Sequence, residues 1–237
     1  MIASYKFGFI FVRTRKTAST AVQLGLSTIC GPDDVIAPLG AGQELLRASI
    51  GGSARNFSSD KSLEQRLAEA VKTGKRKPVK EVVLASRMGG GFRGHMSLQA
   101  VRECVPEEFW KSAYKFTTER HPYEKALSLA HFRYKDRHVP FERHLDDTVR
   151  NDADIYRGYN IYFIGGKPAV DGYLLHDTLS DDIARLRERL NLPPFELPQA
   201  RAKRTDRRPA AELLTDNQKE FIYRACKPEF DLFGWKQ

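Results

Sequence analysis

Cysteine is scarce in this chain. There are three in 237 residues, Cys30, Cys104 and Cys226, odd in number and far apart. They support no disulfide framework and no CxxC metal pair, so buried or half-buried thiols are the expectation. Long apolar runs are also missing, and the longest is far too short to span a bilayer. The N-terminal MIASYKFGFIFVR has a short apolar core, and a basic loop follows it where a small-residue cleavage site would stand. It therefore reads as a first β-strand rather than a signal peptide, and the protein is expected in the cytoplasm with no membrane span. No HExxH, spaced Asp cluster or Cys/His quartet occurs, so no metal is expected. Acidic residues are in deficit, 30 against 39 Lys and Arg, for a net charge of +9. That excess implies anionic partners: nucleic acid, a polyanionic glycan, a nucleotide cofactor or a membrane surface.

What is present reads as globular. Hydrophobic residues make up 41% and charged residues 29%, and the length suits one large α/β domain or two small ones. A single domain over 1–237 is expected, with flexible insertions near 31–60 and 199–210. Strands are expected at 7–12, 82–85 and 113–118, and 161–164 and 169–175 are apolar segments around a Gly165-Gly166 turn. Helices are expected at 17–29 (capped by Thr17 or Ser19), 62–72 (a Ser62/Gln65 capping box), 97–104, 122–134, 141–151, 180–190 (capped by Ser180) and 215–226 (a Thr215/Gln218 box). The basic run 72–80 reads as ending in a surface turn. The alternation of strands and helices predicts a central, mostly parallel sheet flanked by helices.

The stretch 7–22, FGFIFVRTRKTASTAV, is the most informative. An apolar strand stops at a polar loop that flows into small, helix-starting residues. That geometry presents backbone N–H groups to an anion. Lys16 lies in the loop, with hydroxyls at Thr17, Ser19 and Thr20. A nucleoside-triphosphatase loop needs GxxxxGK[ST], and neither glycine precedes Lys16, which disfavours that class. On this stretch alone, an ordinary strand–helix turn with a solvated Lys16 remains equally open. A second stretch, FTTERHPYEKALS at 116–128, repeats the pattern. Arg120 at the strand end can fork onto a phosphate. Ser128 reaches the same anion if its helix packs beside that strand end, and otherwise bonds its own backbone.

Together the two stretches resemble the carbohydrate sulfotransferases, which use 3′-phosphoadenosine 5′-phosphosulfate (PAPS). In that family the first strand ends in PKT(A/G)(G/S)T, which binds the 5′-phosphosulfate; here the residues are Arg15, Lys16, Thr17, Ala18, Ser19 and Thr20. The second signature is R(N/D)PxxRxxxS, whose Arg and Ser bind the 3′-phosphate; Arg120, Pro122 and Ser128 match it. The KTAST form is most similar to the uronyl and heparan 2-O-sulfotransferase branch. The C-terminal SDDIARLRERLNL and PEFDLFGW segments look similar too, so the resemblance covers most of the chain. Arg15, Glu119, His121 and Lys125 depart from the pattern, which weakens the branch more than the family. The resemblance implies a P-loop-like three-layer fold, PAPS as sulfate donor and 3′-phosphoadenosine 5′-phosphate (PAP) as product. It implies a hydroxyl-bearing sugar or glycoconjugate as acceptor and no nucleic-acid partner. Lys16 would stabilise charge on the bridging oxygen. Arg201 and Lys203, in the basic segment 201–208, would line a loop closing over the cofactor.

A hydroxyl acceptor needs a base, and histidine titrates in the right range. The 2-O branch carries a His in a Gly/His-containing loop between its two signatures, and Gly94-His95-Met96-Ser97 matches that placement. His121, beside the second signature, is the main rival. Two other classes remain: a non-catalytic basic module gripping an anionic glycan or nucleic acid, and an ATP-dependent kinase. The basic runs lack interleaved aromatics, which counts against single-strand binding. The missing glycines and the lack of a metal-binding Asp after a strand count against the kinase.

Overall fold

The computed structural model describes residues 1–134, 138–198 and 208–237. The chain begins with a hairpin, β1 (Ile2–Ser4) against β2 (Phe9–Val12), antiparallel with Ile2 opposite Phe11 and Ser4 opposite Phe9. Gly8, at φ 65°, supplies a left-handed residue just before β2. After α1 (Ser19–Ser27) the short β3 (Val35–Ile36) pairs antiparallel with β1. Five helices follow: α2 (Ala41–Ser49), α3 (Lys61–Lys72), α4 (Arg76–Met88), α5 (Leu98–Arg102) and α6 (Glu107–Ser112). They carry the chain to β4 (Tyr114–Glu119), parallel to β2.

A second crossover then runs through α7 (Pro122–Arg133), α8 (Phe141–Asn151), α9 (Ala153–Tyr156) and α10 (Tyr159–Tyr162). A two-stranded ribbon, β5 (Phe163–Ile164) with β6 (Lys167–Pro168), precedes β7 (Gly172–Leu175), which is parallel to β4. The chain ends with α11 (Leu179–Leu190), α12 (Ala210–Leu213), α13 (Asp216–Ala225) and α14 (Lys227–Phe233).

The sheet order is β3-β1-β2-β4-β7. The expectation of a mostly parallel sheet is therefore corrected to a mixed one. A tight hairpin can only join antiparallel strands, and residues 2–12 form one; the parallel pairs β2–β4 and β4–β7 each have a helical crossover. Period-2 alternation divides β2 between two buried faces. Phe9 and Phe11 pack with Val22 and Leu26 of α1 and with Ile183 and Leu186 of α11. Ile10 and Val12 pack with Leu98 and Val101 of α5, Trp110 of α6 and Tyr162. Burial on both sides explains why β2 reads as an unbroken apolar run.

Several expectations change. Residues 75–80 and 82–85, read as turn and strand, lie in the single helix α4, with Lys75 as its N-cap. Val79, Val82, Val83 and Ser86 recur at helical spacing and are buried, and Pro78 sits in the first turn, where it removes no hydrogen bond. The 31–60 segment is structured. It holds β3 and α2, buries Ala37, Leu39 and Phe57, and places Arg47 beside Glu44 at 2.8 Å with both buried. Helix α3 is capped by Asp60, whose side chain accepts from the Ser62 N–H, so Ser62 lies inside the helix. Helix α11 starts one residue before Ser180, after Thr178. The Thr215/Gln218 capping box forms as expected. Among the described residues, no helix is long and apolar enough to cross a membrane.

Candidate functional site

Strands β2 and β4 end side by side, with Val12 opposite Thr117. Each then turns into a helix, β2 through residues 13–18 into α1 and β4 through 120–121 into α7. Ligand sites of α/β proteins form at such carboxyl ends. Three threonines weld the two turns together. Thr17 Oγ1 lies 2.9 Å from Thr14 Oγ1 and 2.7 Å from Thr118 Oγ1, and the Thr14 hydroxyl donates to the Thr118 carbonyl. Ser19 Oγ donates to the Thr14 carbonyl at 2.7 Å. The Thr17 and Ser19 hydroxyls, read from sequence as ligand groups, are therefore buried and occupied within the loop. Their contribution to an anion is the backbone they hold in place.

That backbone is unusual. Lys16 at φ 66° and Ala18 at φ 62° are both left-handed, on either side of Thr17. Left-handed non-glycine residues cost about 1–3 kcal/mol each and persist where surrounding structure enforces them. Here the threonine weld enforces them. Alternation of hand is the backbone geometry that gathers successive N–H groups around an anion. Ala18 is also the N-cap of α1 and offers no capping side chain, so the positive end of α1 meets the same loop.

Cations crowd this loop. Arg13 Nη2 donates to Thr20 Oγ1 at 2.7 Å. Burial, then Arg47 and Arg15, hold the Arg13 guanidinium down to about 9, still a cation at neutral pH. Arg15 is lowered by burial and then by Arg133 at the end of α7. Lys16 reaches the same helix: its Nζ sits 4.3 Å from the centre of the Phe132 ring. Ser128 is one turn before Phe132 and Glu124 one turn before Ser128, so the three share a face of α7. Arg120 Nη2 bonds Glu124 Oε2 at 2.8 Å. Lys16 and Arg120 thus meet opposite ends of one helical face, with half-buried Ser128 between them.

The sequence reading did not identify Glu124, although its i, i+4 spacing from Arg120 was the available signal. Its other oxygen accepts from the Ala210 N–H at 2.8 Å. Arg201 and Lys203, also read as cofactor-binding, lie outside the described residues.

Behind Arg120 is a buried ionic group. Lys125 Nζ lies 2.8 Å from Glu119 Oε2 and 3.1 Å from Glu229 Oε1, and all three side chains are fully buried. Glu119 also accepts the Arg120 N–H at 2.9 Å, and Glu229 accepts the Gly158 N–H at 2.6 Å. A Cβ on Gly158 would collide with Glu119 Oε1, so the packing requires glycine there.

His95 Nδ1 lies 3.0 Å from the Arg13 carbonyl. A carbonyl only accepts, so Nδ1 carries the proton and Nε2 keeps a lone pair. Burial first, then the Arg13 charge, push the imidazole down to about 3, so it is neutral at physiological pH. The neutral form binds fewer protons folded than unfolded between its folded value and the ordinary value of 6.5. Stability is therefore full above about pH 6.5 and is lost as pH falls through that window, at a slope of at most about 1.4 kcal/mol per pH unit. Urea midpoints from pH 7 to 4 should fall less steeply in His95→Asn than in the wild type; equal slopes would remove this assignment.

The rival His121 has a different task. Its Nδ1 accepts the Tyr123 N–H at 3.3 Å as the N-cap of α7. Its ring packs among Tyr123, Phe230 and Trp235, with centroids 4.8, 5.3 and 5.3 Å away. Among the described residues no group of His, Cys, Asp and Glu is arranged to hold a metal. Set against known proteins, the chain matches no family model, no curated protein and no solved structure.

Proposed function

We propose that this chain is a sulfotransferase moving a sulfuryl group from PAPS to a hydroxyl of a carbohydrate or glycoconjugate. The observation that carries the reading is the convergence of the left-handed 16–18 loop and the α7 face on adjacent strand ends, welded by Thr17 and Thr118 at 2.7 Å. Two cationic positions joined by one helical face suit a ligand with two separate anionic groups. Residues 16–20 would hold the 5′-phosphosulfate through backbone N–H groups and Lys16. Arg120 and Ser128 would hold the 3′-phosphate, which then competes with Glu124 for the guanidinium.

PAPS, when bound, supplies the sulfuryl group, passed in line to the acceptor oxygen as PAP departs. Lys16 neutralises the charge that develops on the leaving phosphate oxygen. His95 Nε2 takes the acceptor proton, its orientation fixed by the Nδ1 bond to the Arg13 carbonyl. The Arg13–Arg15 cations support the same charge from behind the loop. As in phosphoryl transfer, positioning and electrostatics do most of the work.

Calorimetry with PAP against AMP tests the assignment without an acceptor. PAP is expected to bind at least tenfold more tightly. Arg120→Ala should cost about 1.5–3 kcal/mol against PAP and little against AMP, because only PAP carries the 3′-phosphate. Equal binding of PAP, AMP and ATP–magnesium would reject the reading in favour of a general nucleotide or polyanion binder.

A further inference from the structure

The α3–α4 hairpin carries a charge that the site does not use. Residues 61–88 hold eight Lys or Arg against three Glu, a net +5 of the chain's +9. Lys61 and Lys72 are paired on α3, with Glu64 at 3.6 Å and Glu69 at 2.6 Å. On α4, Lys77, Lys80 and Arg87 are exposed and have no ion-pair partner among the described residues. Helix α4 buries Val79, Val82, Val83 and Ser86 against its neighbours. Its opposite face is a ridge of Lys77, Glu81, Leu84 and Met88, and Lys80 and Arg87 lie along one flank by helical spacing. Leu84 is 46% exposed and Met88 90% exposed, the largest value among the exposed apolar side chains. An apolar pair one turn apart at the end of a basic face is the pattern of a helix that lies on an anionic bilayer.

We infer that α4 docks this protein onto a membrane surface rich in anionic lipid, with Lys77, Lys80 and Arg87 at the headgroups and Leu84 and Met88 beneath them. A polyanion such as a glycan or nucleic acid would meet the cations equally well. It offers no apolar layer for Met88, which is why the bilayer is favoured. The docking tip is tied to the site. Six residues lie between Met88 and His95, and that link is clamped by the Phe92 N–H donating to the Phe57 carbonyl at 2.8 Å. Where the sulfotransferase reading holds, and only there, docking would present a lipid-borne headgroup hydroxyl to His95.

Co-sedimentation of the full chain with phosphatidylcholine vesicles, with and without 30% phosphatidylserine, tests this at about 0.1 M salt, where exposed charges more than about 10 Å apart are screened. Binding to the anionic vesicles is expected, with at least a tenfold loss in L84D/M88D and in K77E/K80E. Both variants should keep wild-type PAP affinity, since neither touches the nucleotide residues. No binding to anionic vesicles overturns the proposal. Binding that L84D/M88D leaves intact also overturns it, and marks α4 as a patch for soluble polyanions. Vesicle binding without PAP binding would reject the sulfotransferase reading and leave the docking surface standing.

Discussion

Replacing Lys125 with Met is expected to destabilise the protein by about 3–5 kcal/mol, the usual penalty for removing one member of a buried ionic group. Burial alone would push the Lys125 ammonium down, but Glu119 and Glu229 more than reverse this and hold it above its ordinary value. It is therefore charged in the folded protein. Without it, two fully buried carboxylates are left facing one another. Glu119 is raised by burial against the opposing pull of Lys125, with Glu229 adding to the rise, so its charged form is disfavoured even in the intact group. Glu119→Gln should accordingly cost much less than Lys125→Met. The double variant should recover part of the Lys125→Met loss, because one of the two stranded charges is gone. Urea unfolding of the three variants checks this, and a thermal midpoint on the order of 10 °C lower is expected for Lys125→Met. A Lys125→Met midpoint equal to the wild type would show that the triad is not what joins α7 to the end of β4 and to α14.

The parts of the site closest together in sequence were the most legible. The strand–loop–helix at 7–22 and the Pro-started helix after Arg120 were read from local signals: an abrupt end to an apolar run, and a proline suited to a first turn. Both survive in the structure as β2 with α1 and β4 with α7. The roles of individual hydroxyls were not legible. Nothing in TRKTAST says that Thr17 turns inward to Thr118, because that bond depends on parallel pairing across a hundred residues. The Lys125–Glu229 pair was hidden for the same reason, since Glu229 stands in PEFDLFGW, a segment with no local signal for an ion pair a hundred residues away. Helix α4 is hidden for a different reason. Its basic, Pro-containing first turn and its Val-Val-Leu centre look like separate short pieces, and the 79-82-83-86 spacing shows only when the two are taken together. The sheet's mixed character rests on β1, three buried residues too short to register as an element of their own.

His95→Ala is expected to slow sulfuryl transfer by about 10²-fold, the low end of the range for a positioned general base, because an imidazole held near 3 is a weak one, with PAP affinity unchanged. The geometry sets what should accompany the loss. With Nδ1 committed to the Arg13 carbonyl, Nε2 is the only ring nitrogen with a free lone pair. A glutamine at 95 can keep the backbone bond but cannot accept a proton, so His95→Gln should be nearly as slow as His95→Ala while unfolding at a midpoint closer to wild type. The low imidazole value shapes the pH profile as well. A histidine left at 6.5 loses activity below that pH, whereas burial and the Arg13 charge hold His95 near 3. The acid limb of kcat/KM for PAPS, which reports the free enzyme, should therefore lie below about pH 5. The measurement is release of PAP with an acceptor found by screening a glycan panel. An acid limb at 6.5 that disappears in His95→Gln would keep His95 as base but refute its desolvated, cation-flanked setting. Wild-type turnover in His95→Ala would pass the proton to the acceptor's own surroundings and remove His95 from the chemistry.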